Sequence, residues 1–177
     1  GPMIIKALKA GKHVYSAVPI GCTVEEIKEI IEVVKETRLI YMMGETCYYY
    51  PCAMYCRDQY EKGEFGNFVY GESQYYHDMY EMYDDFKRSG GENWRRVAGI
   101  PPMFYPTHSI SMVFSAINQY ATKVSCMGLR DNHEDNVYGE GKNNWDNPFS
   151  NETALFQMSG GGVVRINEFR RVGINKP

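Results

Sequence analysis

His13-Val14-Tyr15-Ser16-Ala17 and Leu39-Ile40-Tyr41-Met42-Met43 are two short, mostly apolar runs with one helical segment between them. That segment opens on Thr23-Val24-Glu25-Glu26, a capping box in which the Thr hydroxyl accepts a first-turn N–H and the Glu reaches back. Behind it Ile27, Ile30, Ile31 and Val34 fall at helical spacing and form one apolar face. Upstream, Met3–Ala10 reads as the end of a helix with Ile4, Ala7 and Leu8 inward, stopped by Gly11. Helix, strand, helix, strand at this spacing is the pattern of a parallel α/β sheet. Two short strands cannot make such a sheet alone. Residues 1–43 are therefore expected to be the tail of a larger doubly wound domain.

The texture changes at Gly44, and residues 44–177 read as a second domain of α+β type. Pro51 can open a helix that runs to about Lys62 and stops at Gly63. Asn67–His77 reads as a long strand. Alternation puts Ser73, Tyr75 and His77 on one face and Glu72, Gln74 and Tyr76 on the other. Met79–Glu92 is polar and contains glycine, the composition of a loop or lid. Ile110, Val113, Phe114 and Ile117 mark a helix over 107–119 with Thr107 as its cap. A strand is expected near Lys123–Met127 and a long surface loop over 129–150. Glu152–Met158 and Val163–Arg171, joined through Gly160-Gly161-Gly162, read as two antiparallel strands.

Between the strand and the helix lies residues 93–109, which gather Trp94, Arg95, Arg96, Tyr105, Thr107 and His108 around three stiffening prolines. Polar groups converging in one rigid stretch mark a candidate cleft, or else a loop packed on a helix. The chain has 15 Tyr, clustered at 48–60 and 70–83 and beside this stretch. Aromatic rings with polar tips suit a site for polar, ring-shaped ligands such as sugars; a sheet core or a protomer interface uses them equally well.

A net charge of −3 without a basic stripe argues against nucleic acid as a partner. No apolar run approaches the roughly 20 residues of a membrane span, and no signal peptide opens the chain. The cysteine count of five is odd and contains no Cys-x-x-Cys, which reads as reduced thiols in the cytoplasm. Cys47, Cys52 and Cys56 lack a partner pair at zinc-ligand spacing, and no metal is expected.

The ordered set of motifs resembles the Gfo/Idh/MocA family of NAD(P)-dependent sugar oxidoreductases. It runs from Ala7-Leu8-Lys9-Ala10-Gly11-Lys12-His13-Val14 through Ala17-Val18-Pro19, Thr23-Val24-Glu25-Glu26 and Gly44-Glu45. It continues through Gly63-Glu64-Phe65-Gly66, Tyr75-Tyr76-His77-Asp78, Asn93-Trp94-Arg95 and Tyr105-Pro106-Thr107-His108. The resemblance implies Rossmann-type elements followed by an open, mostly antiparallel sheet backed by helices, with the sheet as the expected homo-oligomer surface. The Gly-rich pyrophosphate turn is not found, and the family's C-terminal portion appears cut short, at Lys176-Pro177. NAD or NADP is thus expected in a full-length parent, and none on this chain alone.

The family's usual Lys falls on Val18, which can neither give a proton nor orient a hydroxyl. A closer likeness is to the branch that lacks this Lys and includes NAD-dependent glycoside hydrolases. These oxidise a sugar carbon transiently, eliminate the substituent, add water and reduce again. Carried over, Tyr75 is the proton-abstracting base and His108 an acid or base. Trp94, Arg95, Tyr105 and Thr107 hold the sugar, with His77 a second candidate on the Tyr75 face. Pro19, Glu45 and Thr46 lie at the nicotinamide. A tyrosine base needs its ordinary pKa of about 10 lowered by a cation, Arg95 or another cationic neighbour. The alternative is a catalytically inactive fragment that acts as a dimerisation or ligand-binding module.

Overall fold

The chain forms two compact units, Gly1–Thr46 and Cys47–Pro177. The structure, a computed structural model, describes residues 1–172, so the expected cut at Lys176-Pro177 lies outside the described residues.

The first unit contains α1 (Pro2–Lys9), β1 (Val14–Ser16), α2 (Val24–Thr37) and β2 (Tyr41–Met43). β1 and β2 are parallel, with Val14 opposite Tyr41, and α2 is the crossover that parallel strands require. The Glu26 N–H donates to Thr23 Oγ1 at 3.2 Å, while the Glu26 carboxylate accepts from the Cys22 N–H at 2.8 Å. The box therefore closes one residue earlier than its reciprocal form. Ile4, Ile5 and Leu8 of α1 pack on Ile30 and Val33 of α2. Ile31, expected inward, is exposed, because the row that meets α1 runs through 30 and 33.

The second unit contains α3 (Pro51–Glu61), β3 (Tyr70–Tyr76), α4 (Met79–Gly90), α5 (Trp94–Ala98), α6 (Thr107–Ile117), β4 (Ala121–Arg130), β5 (Phe149–Met158) and β6 (Val163–Phe169). The sheet order is β3-β6-β5-β4. β3 runs parallel to β6; the other two pairings are antiparallel, so the sheet is mixed and mostly antiparallel. β5 and β6 join through the expected glycine turn, where Gly161 takes φ +96. Ala116 and Ile117 of α6 close over Met158, Val164 and Ile166 on one sheet face. On β3, residues 71, 73 and 75 are half-buried and residues 70, 72, 74 and 76 exposed, as alternation requires.

Three local expectations need correction. Residues 79–90 are helical, not a loop or lid. Asp78 caps α4 by accepting the Tyr80 N–H at 2.9 Å, and Met79, Met82, Tyr83 and Phe86 form an i, i+3, i+4, i+7 stripe that packs on Trp94 and Tyr138. Thr107 does not cap α6 but is its first residue. Pro106 holds the cap position, and no side chain makes a cap bond. The stretch after β4 is a loop, but it is anchored in the core rather than lying wholly on the surface. Val137, Tyr138, Asn143 and Asn147 are buried, and the two asparagines bond the backbone that surrounds them.

Candidate functional site

Four of the expected site residues meet where β3 ends and α6 begins. Tyr75 and His77 are two apart on one strand face, and Tyr75 Oη shares a hydrogen bond of 2.9 Å with His77 Nδ1. The first turn of α6 carries His108, whose ring centroid lies 4.9 Å from that of Tyr75. Tyr105, held by the short turn before α6, shares a hydrogen bond of 3.1 Å between its Oη and His108 Nε2. His77, Tyr75, His108 and Tyr105 therefore form one continuous row of two phenols and two imidazoles. Its two hydrogen-bonded phenol–imidazole pairs, Tyr75–His77 and Tyr105–His108, are of the kind that can donate and accept protons.

Beneath it lie charged residues that sequence reasoning passed over. Glu168 is the register partner of Tyr75 on β6 and has no exposed surface. One carboxylate oxygen accepts a hydrogen bond from the Ser109 hydroxyl, and the other accepts from the Arg170 guanidinium at 3.0 Å. Arg170 Cζ lies 5.5 Å from the Tyr75 ring centroid. On β5, Glu152 is the register partner of Glu168 and accepts the Met103 N–H at 2.6 Å. Burial pushes both carboxyls above the ordinary glutamate value; hydrogen bonds and the Arg170 charge oppose that shift. Burial and then the Arg170 charge hold the His77 imidazole below its ordinary value, against the opposing pull of Glu81. A sequence signal was present. The inward positions of the last strand read Val164, Ile166, Glu168, Arg170, an apolar row that turns charged as it nears Tyr75.

The remaining sugar-side residues are placed differently. Trp94 is only 6% exposed and packs with Met79, Ala98, Val137 and Tyr138. Tyr83 lies 5.1 Å from its ring centroid and the Arg95 guanidinium 4.6 Å over its face. Arg95 also donates from Nε to the Asp135 carbonyl at 2.8 Å. Of the candidates the sequence left open, Arg95 or another cationic neighbour, the cation beside the Tyr75 ring is Arg170. Thr107 stands next to His108, with its Oγ1 buried and without a hydrogen-bond partner among the described residues.

In the first unit, Pro19 follows β1, and Glu45 and Thr46 follow β2. Because the two strands are parallel, all three lie past the same carboxyl edge, the edge at which open α/β sheets bind ligands.

No family profile matches the chain. It is 32% identical over 121 residues to an α-N-acetylgalactosaminidase of Bacteroides fragilis, an alignment covering 66% of this chain and 28% of that protein. A glycosyl hydrolase family 109 protein of Saccharopolyspora erythraea is 32% identical over 114 residues, covering 63% and 25%. The chain thus matches little more than a quarter of these relatives' length. Among solved structures, the scyllo-inositol dehydrogenase of Lactobacillus casei with bound NAD(H) and scyllo-inositol superposes with a TM-score of 0.75 at 20% identity. That match covers 97% of this chain and 48% of the other. The apo form of the same enzyme gives 0.74 at 21% identity. These structures share the fold, and the homologues agree with the resemblance that the motifs carry.

Proposed function

We propose that this chain, homologous to part of the glycosyl hydrolase family 109 proteins and folded like part of the inositol dehydrogenases, is the substrate-side portion of a Gfo/Idh/MocA-type oxidoreductase. The full protein acts on a sugar or sugar derivative with NAD or NADP, and redox-assisted glycoside cleavage is its reaction. The row Tyr105–His108–Tyr75–His77 carries this reading, since it sets two phenols and two imidazoles within mutual reach. In the roles proposed, Tyr75 takes the proton from the carbon next to the oxidised one, and His77 accepts that proton from the Tyr75 oxygen. His108, oriented by Tyr105, protonates the departing glycosidic oxygen or orients the water that replaces it. Thr107 and the exposed Arg95 flank the sugar. Trp94 supports that wall from below, because its burial leaves little ring surface for stacking.

A nicotinamide cofactor would supply hydride acceptance and return. The donor set fits it in part. Pro19, Glu45 and Thr46 line the carboxyl edge of parallel strands, where a nicotinamide is held in doubly wound folds. The glycine turn that would cradle a pyrophosphate is not found in the sequence. We therefore assign cofactor binding to the full protein rather than to these residues alone. In the first unit Tyr15, Ile40 and Met42 are exposed, apolar surface of the kind that further sheet and helix cover.

The test is an NMR titration of the chain with N-acetylgalactosamine and, separately, scyllo-inositol, following the ring signals of His77 and His108. A saturable shift of both signals with either compound is expected. Unmoved signals from folded protein at high millimolar sugar would overturn the substrate assignment.

A second reading, an assembly module, is favoured by one observation. The sheet face opposite α6 is uncovered, with Met127, Leu129 and Leu155 exposed and Tyr76 stacked on Phe169 at 5.0 Å. A homo-oligomer through this open sheet would cover it. Mass that rises with concentration supports that reading, and a monomer at high concentration sinks it. No helix among the described residues is long and apolar enough to cross a membrane. The odd cysteine count suits a reducing cytoplasm, where we place the protein.

A further inference from the structure

We propose that Glu168 and Arg170 are positioning residues for Tyr75 and His77: buried Glu168 anchors the Arg170 guanidinium against the Tyr75 ring and so fixes a positive charge beside both proton-handling groups. The inference rests on the site reading above and adds to it the device that sets its charge state.

Three elements converge on the pair. β6 delivers Glu168 beside Tyr75 by strand register. Just past β6, the Arg170 N–H donates to the Ser150 carbonyl at 3.0 Å and to Asn151 Oδ1 at 2.9 Å, so the backbone beneath its side chain is fixed. α6 contributes Ser109, whose hydroxyl bonds the Glu168 carboxylate one residue after His108. Both side chains of the ion pair are nearly or fully buried. A buried ion pair is a poor way to gain stability, since apolar side chains of similar volume usually do as well or better. Its presence under the Tyr75 ring is better explained by what the charge does there. A nearby cation lowers the cost of ionising a phenol and disfavours an imidazolium. It thus favours Tyr75 giving up its proton and keeps His77 neutral, able to receive one. The other groups facing His77 are Tyr75 on its own strand, Asp78 and Glu81 from the start of α4, and His108 from α6. Only Arg170 among these carries a permanent positive charge.

The experiment is a pH titration, by carbon–proton NMR, of the four histidine rings in the whole chain. The parent is compared with Arg170→Lys and with the double variant Arg170→Met, Glu168→Gln. Removing both partners avoids a lone buried charge, and the Gln keeps a bond to Ser109, so this variant is the one expected to fold. The His77 midpoint is expected to rise toward the ordinary histidine value in the double variant and to stay near the parent's in Arg170→Lys. Either of two results overturns the proposal. One is an unmoved His77 midpoint in the folded double variant. The other is an equal move in Arg170→Lys, which would make the effect one of packing and not of charge. Should the double variant not fold, Arg170→Gln, which removes the charge and keeps a donor for Glu168, takes its place with the same expected rise and the same overturning result. Sugar plays no part in this titration, so a failed substrate assignment leaves its outcome readable.

Discussion

Tyr75 on β3 and Glu168 on β6 are partners in a parallel ladder, which places a phenol beside a carboxylate with no exposed surface. Register alone does this, because side chains of paired residues project to the same sheet face. The face they share is the one covered by α6, whose first turn carries His108 and Ser109. One helix start thus bonds the carboxylate through Ser109 and meets the phenol through His108.

The proton-handling role can be separated from packing by substitution. Tyr75→Phe keeps the ring and removes only the hydroxyl that bonds His77 Nδ1. His108→Ala removes the imidazole between Tyr75 and Tyr105. In the full protein each change is expected to lower turnover by ~100-fold or more, the scale of a general acid–base group. Steady-state rates with a glycoside substrate, beside an unchanged melting curve, check this. Near-parent rates for both variants would return Tyr75 and His108 to a packing role.

Glu168→Ala should cost far more stability than a typical surface change. It strands the Arg170 guanidinium, whose side chain is only 6% exposed, and leaves the Ser109 hydroxyl without its carboxylate partner. Breaking a buried pair from one side typically costs about 3–5 kcal/mol. Urea unfolding of the chain reads this as a lower midpoint at unchanged slope. A loss near 1 kcal/mol or less would mean that water reaches Arg170 in the variant.

Much of this arrangement was legible in the sequence, for physical reasons that also explain what was missed. Period-two alternation placed Tyr75 and His77 on one face of β3, and the capping box with its helical stripe placed α2 between two parallel strands. Local pattern suffices where one element makes the decision. It failed for α4, where the Met79-Met82-Tyr83-Phe86 stripe is masked by Asp, Lys and Gly on the outer face. It failed again for Trp94, whose burial depends on Val137 and Tyr138, some 40 residues further on. Glu168 and Arg170 were passed over within the strand expected at Val163–Arg171, since their significance comes from a partner strand about 90 residues earlier. The charged end of the row Val164, Ile166, Glu168, Arg170 marks an unusual inward face, but it does not say which strand pairs with it.

Glu152 gives a prediction with a definite sign. Burial raises its carboxyl above the ordinary value of 4.5, so the folded state binds more protons than the unfolded state in the window just above that value. Stability from this group is therefore present in full below about 4.5 and falls as pH rises through the folded value. His77 works in the opposite sense. Its depressed value makes its contribution full above the ordinary 6.5 and lost as pH falls. Glu152→Gln keeps an acceptor for the Met103 N–H without the buried charge. It should raise the melting temperature at pH 7 and leave it nearly unchanged at pH 4. An equal effect at both values would mean that burial does not strain this carboxylate.

Asn143→Ala tests how residues 131–148 hold their shape. The Asn143 amide donates to the Val137 carbonyl at 3.1 Å and to the Asn147 carbonyl at 2.8 Å. Its oxygen accepts the Asn147 N–H at 2.9 Å and the Trp145 N–H at 3.2 Å. Alanine fills none of these roles, and an unpaired buried polar group typically costs roughly 1–3 kcal/mol. Two such groups would lower stability by about 3 kcal/mol. Asn147 also bonds the Gly99 and Phe149 carbonyls, so the damage should spread along both. Val137 and Tyr138 line the core that buries Trp94, and their loosening should expose the indole. Hydrogen exchange should then quicken at Asn147 and at Val137, with a red-shifted tryptophan emission, while β5 and β6 keep their protection. Exchange that quickens evenly through the sheet would mean that this segment and the sheet unfold as one unit.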